Sequence, residues 1–279
     1  MPAPLVVERL GHVSACTHSA GGELNLQQDV FGARVFRQFD DDRAGSRNAL
    51  ALIGSTCVET VTPTAPDGPA ARLLRDRGPG WHSLEWTVPS LPDAVTTLHE
   101  HGVGVVEQTG TYAVADPRDL HGLPLAVSDR RFDQDDRDLP GWEPAFWSDE
   151  HPLGIVGATV YVAVPAPEKA AAGLAALVGR EPYAVDRTHL NVAGHGVRFA
   201  DHAVEFVGSA THAKGDLVGG FLAERGEWIF CLSFTVRDLL AARAFLVGMD
   251  VRFEQFGRHT LLLAPATAGG ARIELTDVS

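Results

Sequence analysis

The sequence predicts an α+β protein made of four βαβββ units, and three observations carry that expectation. The order strand, helix, strand, strand, strand recurs four times along the 279 residues. The second and fourth repeats superimpose at one constant offset, with "LEWTV" on "LSFTV" and "LAVSD" on "RIELTD", so that Val88 matches Val236 and Asp129 matches Asp277. A charged, proline-bearing stretch without period, "RRFDQDDRDLPGWEPAFWSDE", divides the chain into two halves of similar length.

In the first repeat, "LVVERLGHVSACT" is β-rich. "GGELNLQQDVFGA" spaces Leu24, Leu26, Val30 and Phe31 as a short helix would before Gly32 stops it. "ARVFRQF", "NALALIG" and "CVETVT" complete the repeat as strands, and "PAARLLRDRG" is a linking helix. The order restarts with strand "HSLEWTV", helix "LPDAVTTLHEHG" and strands "GVVEQ", "TYAVAD" and "LPLAVSD". The third repeat reads strand "GATVYVAV", helix "PEKAAAGLAALVG", and strands near "YAVDRT", "VRFAD" and "AVEFVG", with helix "DLVGGFLAERG" after it. The fourth is "IFCLSFTV", helix "DLLAARAFLVG", then "VRFEQ", "TLLLAP" and "ARIELTD". Domain boundaries follow: one module over 1–130, a connector over 131–150 and a second module over 151–279. Trp142, Phe146 and Trp147 imply that the connector packs on a domain surface, since exposing so much apolar area is unfavourable.

Composition narrows the function classes. A net charge of −13 with no Lys/Arg-rich run argues against nucleic-acid or membrane-surface partners, leaving a small-molecule substrate as the expected partner. Cys16, Cys57 and Cys231 lack CxxC spacing, the N-terminus has neither a basic n-region nor an apolar h-region, and no apolar run approaches the roughly 18 residues of a membrane span. A reduced, cytoplasmic protein is expected.

The motifs "GHVSAC" with "VFG", "VETVTP", "RGPGWHSLEWTV" and "DPRDLHGLPLAVSD" resemble the vicinal oxygen chelate superfamily, which includes glyoxalase I, methylmalonyl-CoA epimerase, extradiol dioxygenases and bleomycin-resistance proteins. The epimerase-like branch is nearest. The likeness runs over nearly all of 5–129 and more faintly over 153–277. It implies paired eight-stranded half-barrels with helices outside and a divalent ion (Mn, Ni, Co, Fe or Zn) in the cup. A homodimer is compatible with it.

Carried over position by position, the resemblance puts metal ligands at His12 and Glu59 in the first repeat. Ser83 and Ala126 stand at the equivalent places in the second, Thr159 and Glu205 in the third, and Cys231 and Glu274 in the fourth. If repeats pair in sequence, neither cup has a full ligand set. If the first pairs with the fourth, one cup collects His12, Glu59, Cys231 and Glu274, and the expected metal ligands are His12, Glu59 and Glu274. Imidazole and carboxylate donors suit a divalent ion that keeps open positions for a bidentate oxygen substrate. Alternation alone would turn Glu205 to solvent and make Cys231 a small core residue.

The strand "WHSLEWTV" offers two further candidates, because its side chains alternate between faces. Family register sends Ser83 and Glu85 into the cup, making Glu85 a cavity-lining base. A one-residue bulge would instead bring His82 inward beside His12 and Glu59. The reaction class implied is proton abstraction with enolate stabilisation, as in an epimerase, isomerase or lyase. The alternatives are a metal-free binding protein of the bleomycin-resistance type and an extradiol dioxygenase.

Overall fold

All four repeats form. The computed structural model describes residues 2–187, 191–209 and 216–277, so Thr188 of "YAVDRT" lies outside the described residues. The first repeat runs β1 (Arg9–Cys16), α1 (Ala20–Phe31), β2 (Arg34–Asp41), β3 (Ser46–Ile53) and β4 (Thr56–Pro63), followed by α2 (Pro69–Arg77). The second is β5 (Gly80–Thr87), α3 (Leu91–Glu100), β6 (Val105–Gln108), β7 (Tyr112–Ala115) and β8 (Leu125–Ser128). The third is β9 (Ile155–Ala163), α4 (Pro167–Val178), β10 (Pro182–Arg187), β11 (Val192–Arg198) and β12 (Ala203–Ser209), followed by α5 (Leu217–Arg225). The fourth is β13 (Trp228–Val236), α6 (Leu239–Gly248), β14 (Phe253–Phe256), β15 (Thr260–Leu263) and β16 (Ile273–Asp277).

The expected stop at Gly32 has a direct cause. Its backbone is left-handed, at φ 61°, a conformation glycine adopts without steric cost. Gly179 ends α4 in the same way at φ 63°. Three other helices begin on side-chain caps: Asp238 accepts from the amides of Leu240 and Ala241, Ser90 from the amide of Asp93, and Asp216 from the amide of Gly219.

The strands form two mixed eight-stranded sheets, ordered β2-β3-β4-β1-β5-β8-β7-β6 and β10-β11-β12-β9-β13-β16-β15-β14. This is the α+β arrangement expected from the repeats, in the eight-stranded half-barrel sheets that the resemblance implies. Register confirms the internal alignment: Glu85 opposes Ala126 and Ser233 opposes Glu274, each member displaced by 148 residues. Ser14 opposes Glu59 in the first repeat and Tyr161 opposes Glu205 in the third. The strand order of each sheet joins the repeats in sequence, with β1 beside β5 and β9 beside β13.

Compactness groups them differently. One unit comprises Met1–Gly11, Ser83–Arg131 and Thr159–Phe230, and so holds the second and third repeats. The other comprises His12–His82, Phe132–Ala158 and Cys231–Ser279, and so holds the first and fourth.

Within the latter, Phe31 of α1 packs on Phe234 with ring centroids 5.7 Å apart. The connector is more regular than its lack of period suggests, with a 3₁₀ turn at Asp136–Asp138 and a π-helical turn at Phe146–Glu150. Trp147 is buried there, but Phe146 stays 45% exposed, so only part of the expected aromatic anchor is used. A buried Arg137–Asp135 ion pair at 2.7 Å ties the connector to the β3–β4 turn, where Arg137 donates to the Ser55 carbonyl. In the other unit, His202 accepts from Trp86 Nε1 at 3.0 Å and contacts Asp201 at 2.7 Å, and Asp201 accepts from the Leu10 amide. All three cysteines are buried thiols. Among the described residues, no helix is long and apolar enough to cross a membrane.

Candidate metal and substrate site

β1 and β4 are parallel neighbours, and residues opposed across them share a sheet face. On one face Gln27 of α1 donates to Thr60 Oγ1 at 3.2 Å, which marks that face as the one under the helix. Alternation then puts His12, Ser14, Glu59 and Val61 on the face turned away from α1. At its far end Cys16 and Val61 pack with Ala70 and Leu74 of α2, so an apolar cluster closes the row.

His12 and Glu59 come together, with Nε2 and Oε2 3.3 Å apart and both side chains about one-tenth exposed. Ser14 Oγ donates to Glu59 Oε2 at 2.7 Å, and Asn48 Nδ2 donates to Oε1 at 2.9 Å. Asn48 is held in turn by Ser46 Oγ, which donates to its Oδ1 at 2.7 Å. Burial pushes the Glu59 carboxyl up. The charge and hydrogen bond of His12, the Ser14 hydroxyl and the charge of His82 outweigh burial and hold it at about 2.

His82 belongs to the same compact unit. Burial pushes its imidazole below the ordinary histidine range and His12 adds to this, while Glu59 and a backbone hydrogen bond oppose it. Register gives the place of His12 to Ser83, but the electrostatic partner of the pair is His82. Glu85 is partly exposed in the other unit, set against Gly11, where a Cβ would meet its Oε1 at 3.1 Å and its carbonyl oxygen at 3.0 Å. Glu274 is buried on β16 of the second sheet, in the same unit as His12, and accepts from Ser233 Oγ at 3.0 Å. That bond is the counterpart of Ser14 to Glu59. Cys231 is fully buried, as a small core residue would be.

Glu205 does not face solvent as alternation suggested. It is 4% exposed, accepts from Tyr183 Oη at 2.7 Å and lies 3.5 Å from Arg187. Burial, followed by the charge and hydrogen bond of Glu205, pushes the Tyr183 phenol up.

The donors present fit a divalent ion as two adjacent ligands. Two atoms each about 2.1 Å from one ion stand about 3.0 to 3.4 Å apart in octahedral or tetrahedral geometry, which matches the His12–Glu59 separation. Ser14 and Asn48 supply the outer hydrogen bonds that orient a ligating carboxylate. Among the described residues, no group of three or more His, Cys, Asp and Glu side chains is arranged to hold a metal ion. Remaining coordination positions would therefore go to water or substrate. Ser14 and Asn48 were missed from sequence, although Ser14 lies two residues beyond His12 on one strand face, a signal alternation carries.

No family model and no curated protein matches the sequence. Solved structures do match. A mutant 4-hydroxymandelate synthase from Streptomyces coelicolor is 12% identical with a TM-score of 0.75, covering 99% of this chain and 93% of its own. Methylmalonyl-CoA epimerase from Mycobacterium tuberculosis is 24% identical with a TM-score of 0.42, over 46% of this chain and 91% of its own. A methylmalonyl-CoA epimerase variant from Streptomyces coelicolor is 18% identical with a TM-score of 0.41, over 44% and 96%. With its fourfold register and a match along nearly its whole length, the chain has the fold of that 4-hydroxymandelate synthase.

Proposed function

We propose that the protein is a divalent-metal-dependent enzyme that abstracts a proton from carbon in a small, oxygen-chelating substrate, in the manner of an epimerase, isomerase or lyase. The observation that carries the reading is the His12–Glu59 pair, with its carboxylate kept ionised by Ser14, Asn48 and His12. A carboxylate held near 2 is a weak base and a good anionic ligand. Glu59 accordingly orients His12 and presents charge, and does not itself take the proton.

A divalent ion held by His12 and Glu59 would act as a Lewis acid, lowering the energy of an enolate formed on the substrate. His82 is the base assigned here, since its lowered proton affinity leaves a neutral imidazole at pH 7. Glu274, held by Ser233, belongs to no three-donor group among the described residues. The buried thiols fit a reduced cytoplasm. The lack of a third donor in a metal-holding group among the described residues favours one second reading, a metal-free small-molecule binder.

Calorimetric titration with Mn²⁺ and Ni²⁺ separates the two. The enzyme reading expects one saturable site, lost in His12→Ala and Glu59→Gln. Silent titrations of the wild-type chain with both ions would sink it. Incorporation of deuterium from D₂O into a panel of 2-methyl acyl thioesters and 2-oxo acids, lost in His82→Gln, tests the base.

A further inference from the structure

Arg37 shares a cross-strand row with Glu59: Arg37 opposes Leu50 on β3, and Leu50 opposes Glu59 on β4. Opposed residues emerge on one face, so both rise from the face turned away from α1, with backbones two strand spacings, about 10 Å, apart. The fully buried Leu50 lies between them. The Arg37 guanidinium is stacked 5.4 Å from the Phe39 ring and 5.1 Å from the Phe132 ring. Its Nε is buried without an acceptor, and among the described residues Arg37 forms no ion pair. That is unusual in a chain with 36 acidic residues against 23 basic ones. Nearby Arg34 and Arg47 are both paired, with Asp136 at 2.7 Å and Asp40 at 2.9 Å.

We propose that Arg37 is an oxyanion subsite, so that the substrate carries a carboxylate or phosphate in addition to the oxygens facing His12 and Glu59. Placement of that group relative to the reacting carbon rests on the function proposed above. Ring stacking occupies the faces of the guanidinium and leaves its in-plane N–H edge for a bidentate oxyanion. Arg37 is only partly buried. Two rings restrain the fork before any ligand arrives, which reduces the entropy lost on binding.

The test is calorimetric titration of the full chain with inorganic phosphate, with suberate as a linear dicarboxylate, and separately with Mn²⁺. Saturable anion binding is expected, weakened at least about tenfold in Arg37→Met, with phosphate binding unchanged in His12→Ala. Preference for suberate or for phosphate names the anion. Arg37→Lys keeps the charge but loses the fork, is expected to bind at least about threefold more weakly, and decides the matter should the Met variant fail to fold. Absence of saturable binding of either anion, or wild-type affinity in whichever variant folds, would overturn the subsite. Mn²⁺ binding should survive in Arg37→Met. Loss of anion binding there in a protein that takes up no Mn²⁺ would leave the subsite standing and remove the metal.

Discussion

Glu59 and Glu205 occupy one place in the repeat, the strand after the hairpin, and both are buried, but their neighbours give them opposite roles. Glu205 is quenched within its own hairpin by the Tyr183 hydroxyl and by Arg187. Glu59 is oriented by Ser14 and Asn48 and aimed at His12. The middle strand decides between them. Gly196 stands between Tyr183 and Glu205, where a Cβ would meet Glu205 Cγ at 2.8 Å and the Tyr183 hydroxyl at 2.9 Å, so the bond exists only because that side chain is absent. Leu50 fills the equivalent place between Arg37 and Glu59, which keeps the arginine from neutralising the carboxylate. A single side chain between two strands therefore separates a structural carboxylate from one free to act.

The strongest way to break the contrast is Gly196→Leu, which forces the Tyr183–Glu205 pair apart in a buried site. Loss of that hydrogen bond and the overpacking introduced by the leucine together cost about 3 to 5 kcal/mol, to be read as a lower urea midpoint by circular dichroism. The Tyr183 phenol should at the same time titrate lower, followed by its absorbance, because its raised proton affinity depends on burial and on Glu205.

Second in size is the acid stability of Glu59. Its folded value of about 2 lies below the ordinary glutamate value of 4.5, so it stabilises the fold fully above pH 4.5, and that contribution fades as pH falls toward 2. The linkage is worth about 3 kcal/mol across the window, and urea midpoints of Glu59→Gln should lack the corresponding fall. A wild-type profile no steeper than the variant's would remove the ionised carboxylate from the site.

Ser14→Ala and Ser233→Ala probe the same bond in the two sheets. Each deletes a donor to a buried carboxylate, with an expected loss of about 1.5 to 3 kcal/mol by chemical denaturation. Near-equal losses would show that the serine–carboxylate bond is built alike in the two sheets.

The smallest effect is at His82. Its folded proton affinity is lowered, so the unfolded chain takes up the proton first and stability declines as pH drops below 6.5. His82→Gln should flatten that part of the denaturation profile between pH 7.5 and 5.5.

Much of this molecule was legible before its structure. Alternation, helix stops such as Gly32 and the constant offset between repeats specify four βαβββ units, because these are local, periodic signals set by backbone geometry and burial. Register carried His12 and Glu59 to adjacent strands for the same reason. Local pattern did not show that Glu205 would be buried, because its partner Tyr183 reaches it across a glycine on a third strand. Nor did it show that Asn48 would hold Glu59 and Phe132 would stack on Arg37, contacts made across strands and from a connector without period. Sequence by itself determined the repeats and the positions at which ligands can stand. Tertiary packing decided which of those positions carry an available charge, because the state of a buried carboxylate depends on the side chains brought against it from elsewhere in the chain.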